Sequence, residues 1–364
     1  MPTMPDPRLP QATAHSIHAQ APCRVDLAGG TLDLWPLYLF HEGAVTVNVA
    51  ISVMTSCRIT PVAGSSITLK SADTAVEHTY GDFDELLSSR DHRHALAAHL
   101  VREFAPRPGA AGMPPVGMAG WKGGFVMETH SESPAGAGIS GSSALMVSTT
   151  AALAQFTGRK LDREQIRELA QNVEAQLIRV PTGCQDYYPA LYGGVSAIHL
   201  TPGGIRREAL PVPPAEIHDR FVLGYTGAPR QSGINNWEVF KAHINGDRRV
   251  FRNFEEIAQI ARAMRAALIA HDWKNVARLL KEEWKLRRSN APGITTPLID
   301  QMVAKTARAG ARAAKVCGAG GGGCVIFLVE PDARERVAEV ITDLGARVLP
   351  FRVDRKGLTI TKPQ

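Results

Sequence analysis

Between Ala44 and Thr60 the chain alternates in character, with Val45, Val47, Val49, Ile51 and Val53 on one face and Thr46, Asn48 and Ser52 on the other. A period of two, rich in β-branched residues, predicts a strand over 44–60. Residues 92–104 switch to a helical period and predict an amphipathic helix. A Pro/Gly-rich loop at 106–120 leads to a strand around Gly124 to Thr129. Two helices follow, Ser143 to Phe156 and Asp162 to Ile178, then a turn at 181–186 and paired strands, Gly194 to Leu200 and Ile205 to Leu210. Pro211 to Pro214 reads as a hinge, ahead of a strand at 220–226, long helices across 234–289 and a mixed finish. Blocks of strands and helices without regular alternation predict an α+β protein rather than a doubly wound sheet. The expected organisation is a flexible tail at 1–17, an N-terminal domain at 18–210 and a C-terminal domain at 211–364, with no internal repeat.

A chain of 364 residues, 44% hydrophobic and 21% charged, is long enough for two domains with a sizeable core. Its net charge of +6 is modest. The basic clusters Arg248-Arg249 and Lys285 to Arg288 fall in helical segments and read as solvated faces. Nucleic-acid binding would want a denser stripe with interleaved aromatics, and aromatics make up 6% of the chain. A basic balance does suit a cleft for a small anionic ligand. The five cysteines (23, 57, 184, 317 and 324) are odd in number and form no Cys-x-x-Cys pair, so neither a disulfide framework nor a zinc site is expected. Residues 1–20 are polar and proline-broken, and no apolar run reaches membrane-span length, so the expected compartment is the cytoplasm.

The chemistry concentrates in residues 134–144, Pro-Ala-Gly-Ala-Gly-Ile-Ser-Gly-Ser-Ser-Ala. Gly136, Gly138 and Gly141 free the backbone to wrap a ligand, Ser142 and Ser143 follow, and a helix begins. Such a loop aims unpaired N–H groups and a positive dipole end at an anion, most often a phosphate chain. The literal Gly-x-Gly-x-x-Gly spacing is not a dinucleotide fingerprint, because two helices and no strand follow it. Without a lysine after Gly141 it is not a Walker A loop, and without a following strand and Val-Ala-Ile-Lys lysine it is not a protein-kinase loop. A second glycine run, Gly318 and Gly320 to Gly323, lies between two short apolar strands. So many glycines are costly in chain entropy unless something must approach the backbone closely.

With Ala21-Pro-Cys-Arg24-Val-Asp-Leu-Ala-Gly29-Gly30-Thr31-Leu-Asp33-Leu near the N-terminus, these loops resemble the three motifs of the GHMP kinase superfamily, in its order and over nearly the whole chain. Within it the chain is most similar to bacterial sugar kinases of the D-glycero-D-manno-heptose 7-phosphate kinase type. Gly183-Cys-Gln-Asp186-Tyr-Tyr and Tyr225-Thr-Gly-Ala-Pro-Arg230 add to that likeness. One departure is Leu32, where those kinases usually carry threonine.

The resemblance implies a ribosomal protein S5 domain 2-like N-terminal domain, a ferredoxin-like C-terminal domain and an active site between them. It implies transfer of the γ-phosphoryl of ATP to a hydroxyl, most readily the anomeric one, of a sugar or sugar phosphate. The phosphate cradle would be Pro134, Gly136, Ala137, Gly138, Ser140, Gly141, Ser142 and Ser143. Ser143 and Glu174, which lies 12 residues before Asp186, would hold Mg²⁺. Asp186 would be the catalytic base, with Arg24 beside it to keep it ionised. Asp33 would take sugar hydroxyls, since a carboxylate accepts two at once. Gly29, Gly30, Gln185, Tyr225, Arg230, Gly320 and Gly321 are further substrate candidates. His130, Trp35 and Trp121 are read as structural, with one ring a possible border to the adenine. The expected partners are ATP and a small sugar, with the chain a monomer or homodimer. The alternatives are another sugar (fucose, galactose, arabinose or a uronic acid), a non-sugar alcohol such as mevalonate or homoserine, and a silent sugar/ATP sensor.

Overall fold

Two long strands, β1 (Ile17–Ala28) and β2 (Val45–Val62), pair antiparallel and carry the rest of the molecule. The computed structural model describes residues 15–90, 93–105, 123–228 and 234–361. The valines of β2 alternate inward as their period requires, although Val45 to Ala50 are covered on both faces. Strands β3 (Ile67–Ser71) and β4 (Val76–Tyr80) form a hairpin, followed by helices α1 (Phe83–Ser88) and α2 (Ala95–Phe104). Strand β5 (Gly124–Ser131) then enters between β2 and β3.

Helix α3 (Gly141–Thr157) is buried around most of its circumference beyond the exposed Ser142 of its first turn, which marks a core helix. It lies against β1 and β2 and is covered by α2, α4 (Arg163–Ile178) and α5 (Tyr187–Tyr192). Helix α4 opens with a capping box, Asp162 and Gln165 bonding each other's backbone N–H. Strands β6 (Val195–Thr201) and β7 (Gly204–Ala209) and the late β12 (Thr359–Thr361) complete an eight-stranded sheet of order β12-β1-β2-β5-β3-β4, with β6 branching from β2 and β7 pairing β6.

After α6 (Pro214–Arg220), strand β8 (Phe221–Tyr225) starts a second sheet. Helices α7 (Ile234–Ile244), α8 (Arg248–Ile269), α9 (Trp273–Ser289) and α10 (Pro297–Arg308) intervene before β9 (Ala311–Val316) and β10 (Cys324–Val329). Helix α11 (Arg334–Asp343) and β11 (Arg347–Val348) close it. The strand order β11-β8-β10-β9, all antiparallel, is the ferredoxin-like arrangement of strands 4-1-3-2. The chain then returns to the first sheet. Val353 bridges Ile51, and β12 (Thr359–Thr361) pairs with His18 to Gln20 of β1. No helix among the described residues is long and apolar enough to cross a membrane.

Candidate active site

The end of β1, the loop after β5 and the turn between β9 and β10 meet around one cavity of about 410 Å³. The loop after β5 turns through left-handed backbone at Gly136 and Gly138, and again at Ser140, where φ is +64°. That conformation costs a non-glycine residue about 1 kcal/mol or more and persists because the surroundings enforce it. Ala137 to Ile139 are gripped from two sides. Arg24 N–H donates to Ile139 O at 3.0 Å, and Cys324 N–H donates to Ala137 O at 2.7 Å. A Cβ on Gly323 would lie 2.6 Å from Ala137 O, so the second glycine run is glycine-rich where backbone meets backbone. Every residue expected in the phosphate cradle lines the cavity, and the first turn of α3 opens onto it.

Beyond the cradle, the Arg24 guanidinium clamps Asp186. Nε and Nη2 donate to the same carboxylate oxygen, Nε at 2.8 Å, while Nη1 donates to Gly138 O at 2.9 Å. Burial pulls the Arg24 guanidinium down, but Asp186 and Asp26 outweigh it and leave it raised, so Arg24 stays charged. The Asp186 side chain remains 25% exposed, open toward the cavity.

Asp33 is buried at the same cavity, its Oδ2 accepting the Gln185 N–H at 2.9 Å. A Cβ on Gly183 would sit 1.9 Å from that oxygen, so only glycine lets the turn close over Asp33. Burial, and then the charge of Asp186, push the Asp33 carboxyl up to about 7. Leu32, the departure from the heptose-kinase pattern, does not line the cavity and is fully buried in the apolar cluster that also holds Tyr188 and Phe254.

Glu174, near the end of α4, is buried and accepts three hydroxyls: Ser142 at 2.6 Å on one oxygen, Ser143 at 2.8 Å and Tyr187 at 2.5 Å on the other. Burial lifts its carboxyl above the usual range against the pull of those donors. A carboxylate and two serine hydroxyls at a helix N-terminus are hard oxygen donors of the kind Mg²⁺ takes, and they fit that ion.

Not every expected residue reaches the cavity. Gly30 and Gln185 line it; Gly29 does not, and a Cβ on it would lie 2.2 Å from Val45 O. Gly320 and Gly321 dock on Ile294, whose carbonyl accepts the Gly321 N–H at 2.8 Å, and Gly318 and Ala319 face the cavity in their place. Tyr225 is held in the second sheet with Arg347 over its ring. Arg230 and Trp121 lie outside the described residues. His130 is exposed on β5, away from the cavity. Trp35 is not a packing residue: it is 67% exposed and borders a second cavity of about 290 Å³ with Tyr38, Arg167 and Gln171.

The sequence reading missed a buried charge cluster under the first motif. Lys315 Nζ donates to Asp26 Oδ2 at 2.7 Å, and Arg287 donates to Glu283 Oε1 from Nη2 at 2.8 Å and from Nε at 3.1 Å. Glu283 and Lys315 are fully buried and Arg287 is 5% exposed, so the cluster at 285–288 is not wholly a solvated face. Two signals were available. Lys315 interrupts an apolar strand, and Glu283 and Arg287 continue the stripe Val276–Leu280 at spacings of three and four.

The family model described as "GHMP kinases N terminal domain" matches residues 96–194, and "GHMP kinases C terminal" matches 248–347. A D-glycero-alpha-D-manno-heptose 7-phosphate kinase of Campylobacter jejuni is 24% identical over 94% of this chain and 98% of its own. A mevalonate kinase of Thermococcus onnurineus is 28% identical over 82% of each. Among solved structures, a D-glycero-D-manno-heptose 1-phosphate kinase from Bacteroides thetaiotaomicron superposes with a TM-score of 0.72 at 22% identity, covering 96% of this chain and 99% of its own.

Proposed function

Because the chain belongs to the GHMP kinases, we propose that it transfers the γ-phosphoryl group of Mg-ATP to the anomeric hydroxyl of a sugar or sugar phosphate such as a heptose 7-phosphate. The observation that carries this reading is that the phosphate loop, Asp186 held by Arg24, and Asp33 line one cavity together.

In this reading the loop at 134–143 receives the phosphate chain through backbone N–H groups and the positive end of α3. Ser143 and Glu174 would hold Mg²⁺, which neutralises charge on the phosphates when bound. Asp33 accepts hydroxyls of the acceptor and fixes its orientation. Asp186 takes the proton of the attacking hydroxyl as that oxygen bonds to the γ-phosphorus and the bond to the ADP oxygen breaks. Arg24 holds the Asp186 carboxylate in place and lends positive charge to the transferring group. With the substrate aligned and water displaced, little more is asked of the protein.

The test is ADP release from Mg-ATP over a panel of free sugars and sugar phosphates, heptose 7-phosphate included, with mevalonate and homoserine as controls. Turnover on one sugar, with product NMR locating the phosphate on C1, is the expected result. Turnover on mevalonate alone would replace the acceptor, an outcome the Thermococcus relative keeps in view. Binding of ATP without turnover on any acceptor would replace catalysis with sensing.

A further inference from the structure

Gly29 to Asp33, the turn that carries the acceptor carboxylate, is held at its other end by side chains from the C-terminal half. Arg287 Nη2 donates to Gly30 O at 2.7 Å and Nη1 donates to Thr31 Oγ1 at 3.2 Å. Thr31 Oγ1 in turn donates to Asn236 Oδ1 of α7 at 3.2 Å. Thr31 sits at φ +73°, a left-handed conformation that a β-branched residue resists. A Cβ on Gly30 would lie 2.5 Å from Asp26 Oδ2 and 2.8 Å from Arg287 Nη2, so a side chain there would displace the groups that hold the turn.

We infer that Arg287 is the positioning residue of the acceptor loop: its guanidinium fork, anchored on Glu283, forces the strained turn at Gly30–Thr31 that brings Asp33 under Gln185. The inference rests on the reading of Asp33 as the group that takes the acceptor. Four of the five guanidinium N–H donors are engaged by Glu283, Gly30 and Thr31, so Arg287 acts through the loop and not on the reacting atoms. Its charge is tolerated at this depth because Glu283 lies against it and Asp26 is 3.9 Å away, while Lys315 serves Asp26. A lysine in its place could not span Glu283, Gly30 and Thr31 together, since an ammonium lacks the planar fork.

The experiment compares hydrogen exchange in the unliganded full-length protein for Arg287→Met, for the charge-balanced pair Glu283→Gln with Arg287→Met, and for Thr31→Ala. Thr31→Ala loses the anchoring hydroxyl without stranding a buried charge. The expected result is exchange faster by about tenfold across residues 29–34, the effect of losing one charge-assisted hydrogen bond, with residues 134–144 unchanged. In parallel, KM for D-glycero-D-manno-heptose 7-phosphate, or for whichever panel sugar the wild type turns over, should rise about tenfold with KM for ATP within twofold. Unchanged exchange at 29–34 in all three variants overturns the inference. So does an equal rise in both loops, which would make Arg287 a general structural support. A wild-type protein that phosphorylates no sugar would sink the acceptor reading instead, and the exchange data would still decide whether Arg287 sets the loop.

Discussion

Asp33 is a carboxylate that burial has brought to the edge of ionisation near neutral pH. Its folded pKa of about 7 lies above the ordinary 3.8, so the folded protein binds that proton more tightly than the unfolded chain. Stability from this group is therefore complete below pH 3.8 and is lost as pH rises toward about 7. The acceptor should show the opposite preference, because the ionised form accepts hydroxyls on both oxygens and binds them more strongly. KM for the sugar is expected to fall as pH rises through about 7, with KM for ATP flat, and Asp33→Asn should erase that dependence. A profile that survives the substitution would assign the inflexion to another group. Asp186 makes a sharper case. Asp186→Asn should cut turnover by about 10²–10⁴-fold while the affinity for a non-hydrolysable ATP analogue, read by calorimetry, stays within about twofold. An active variant would remove Asp186 as the base.

At the scale of elements, glycine demand and strand period were legible in the sequence because both are local. Gly136 and Gly138 are glycines because the backbone turns left-handed there, and Gly323 because Ala137 O leaves no room for a methyl group. Gly323→Ala should therefore displace the phosphate loop, raising KM for ATP by about tenfold or more for 1–3 kcal/mol of strain. Steady-state kinetics reads it, and an unchanged KM would mean the two loops adjust independently. The hairpin β3–β4 escaped the sequence reading because its strands are short and their outer positions (Thr68, Lys70, Glu77 and Thr79) look like loop. The roles of Gly320 and Gly321 were misjudged for a different reason. A glycine run announces close approach without saying to what, and here the partner is Ile294.

Across the whole molecule, the order of motifs along the chain foretold which loops would meet, while the buried ion cluster stayed hidden. Charge in a sequence is read as exposure, and only tertiary packing puts Glu283, Arg287 and Lys315 beneath the first motif. The return of the chain to the first sheet was equally unreadable, since β12 is three residues long and has no period to recognise. Deleting residues 349–364 removes its pairing with β1 and the bridge from Ile51 to Val353. The expected outcome is a lower melting temperature by differential scanning fluorimetry, even though every cavity residue is retained.

That last pairing also bears on how the protein is made. His18, Ala19 and Gln20 leave the ribosome long before their partners Thr359, Ile360 and Thr361. Until then β1 presents an open edge on that side, a template for mispairing with other nascent chains. Completion of the first sheet thus waits until β12 has been made, and shielding this edge until then would limit such mispairing.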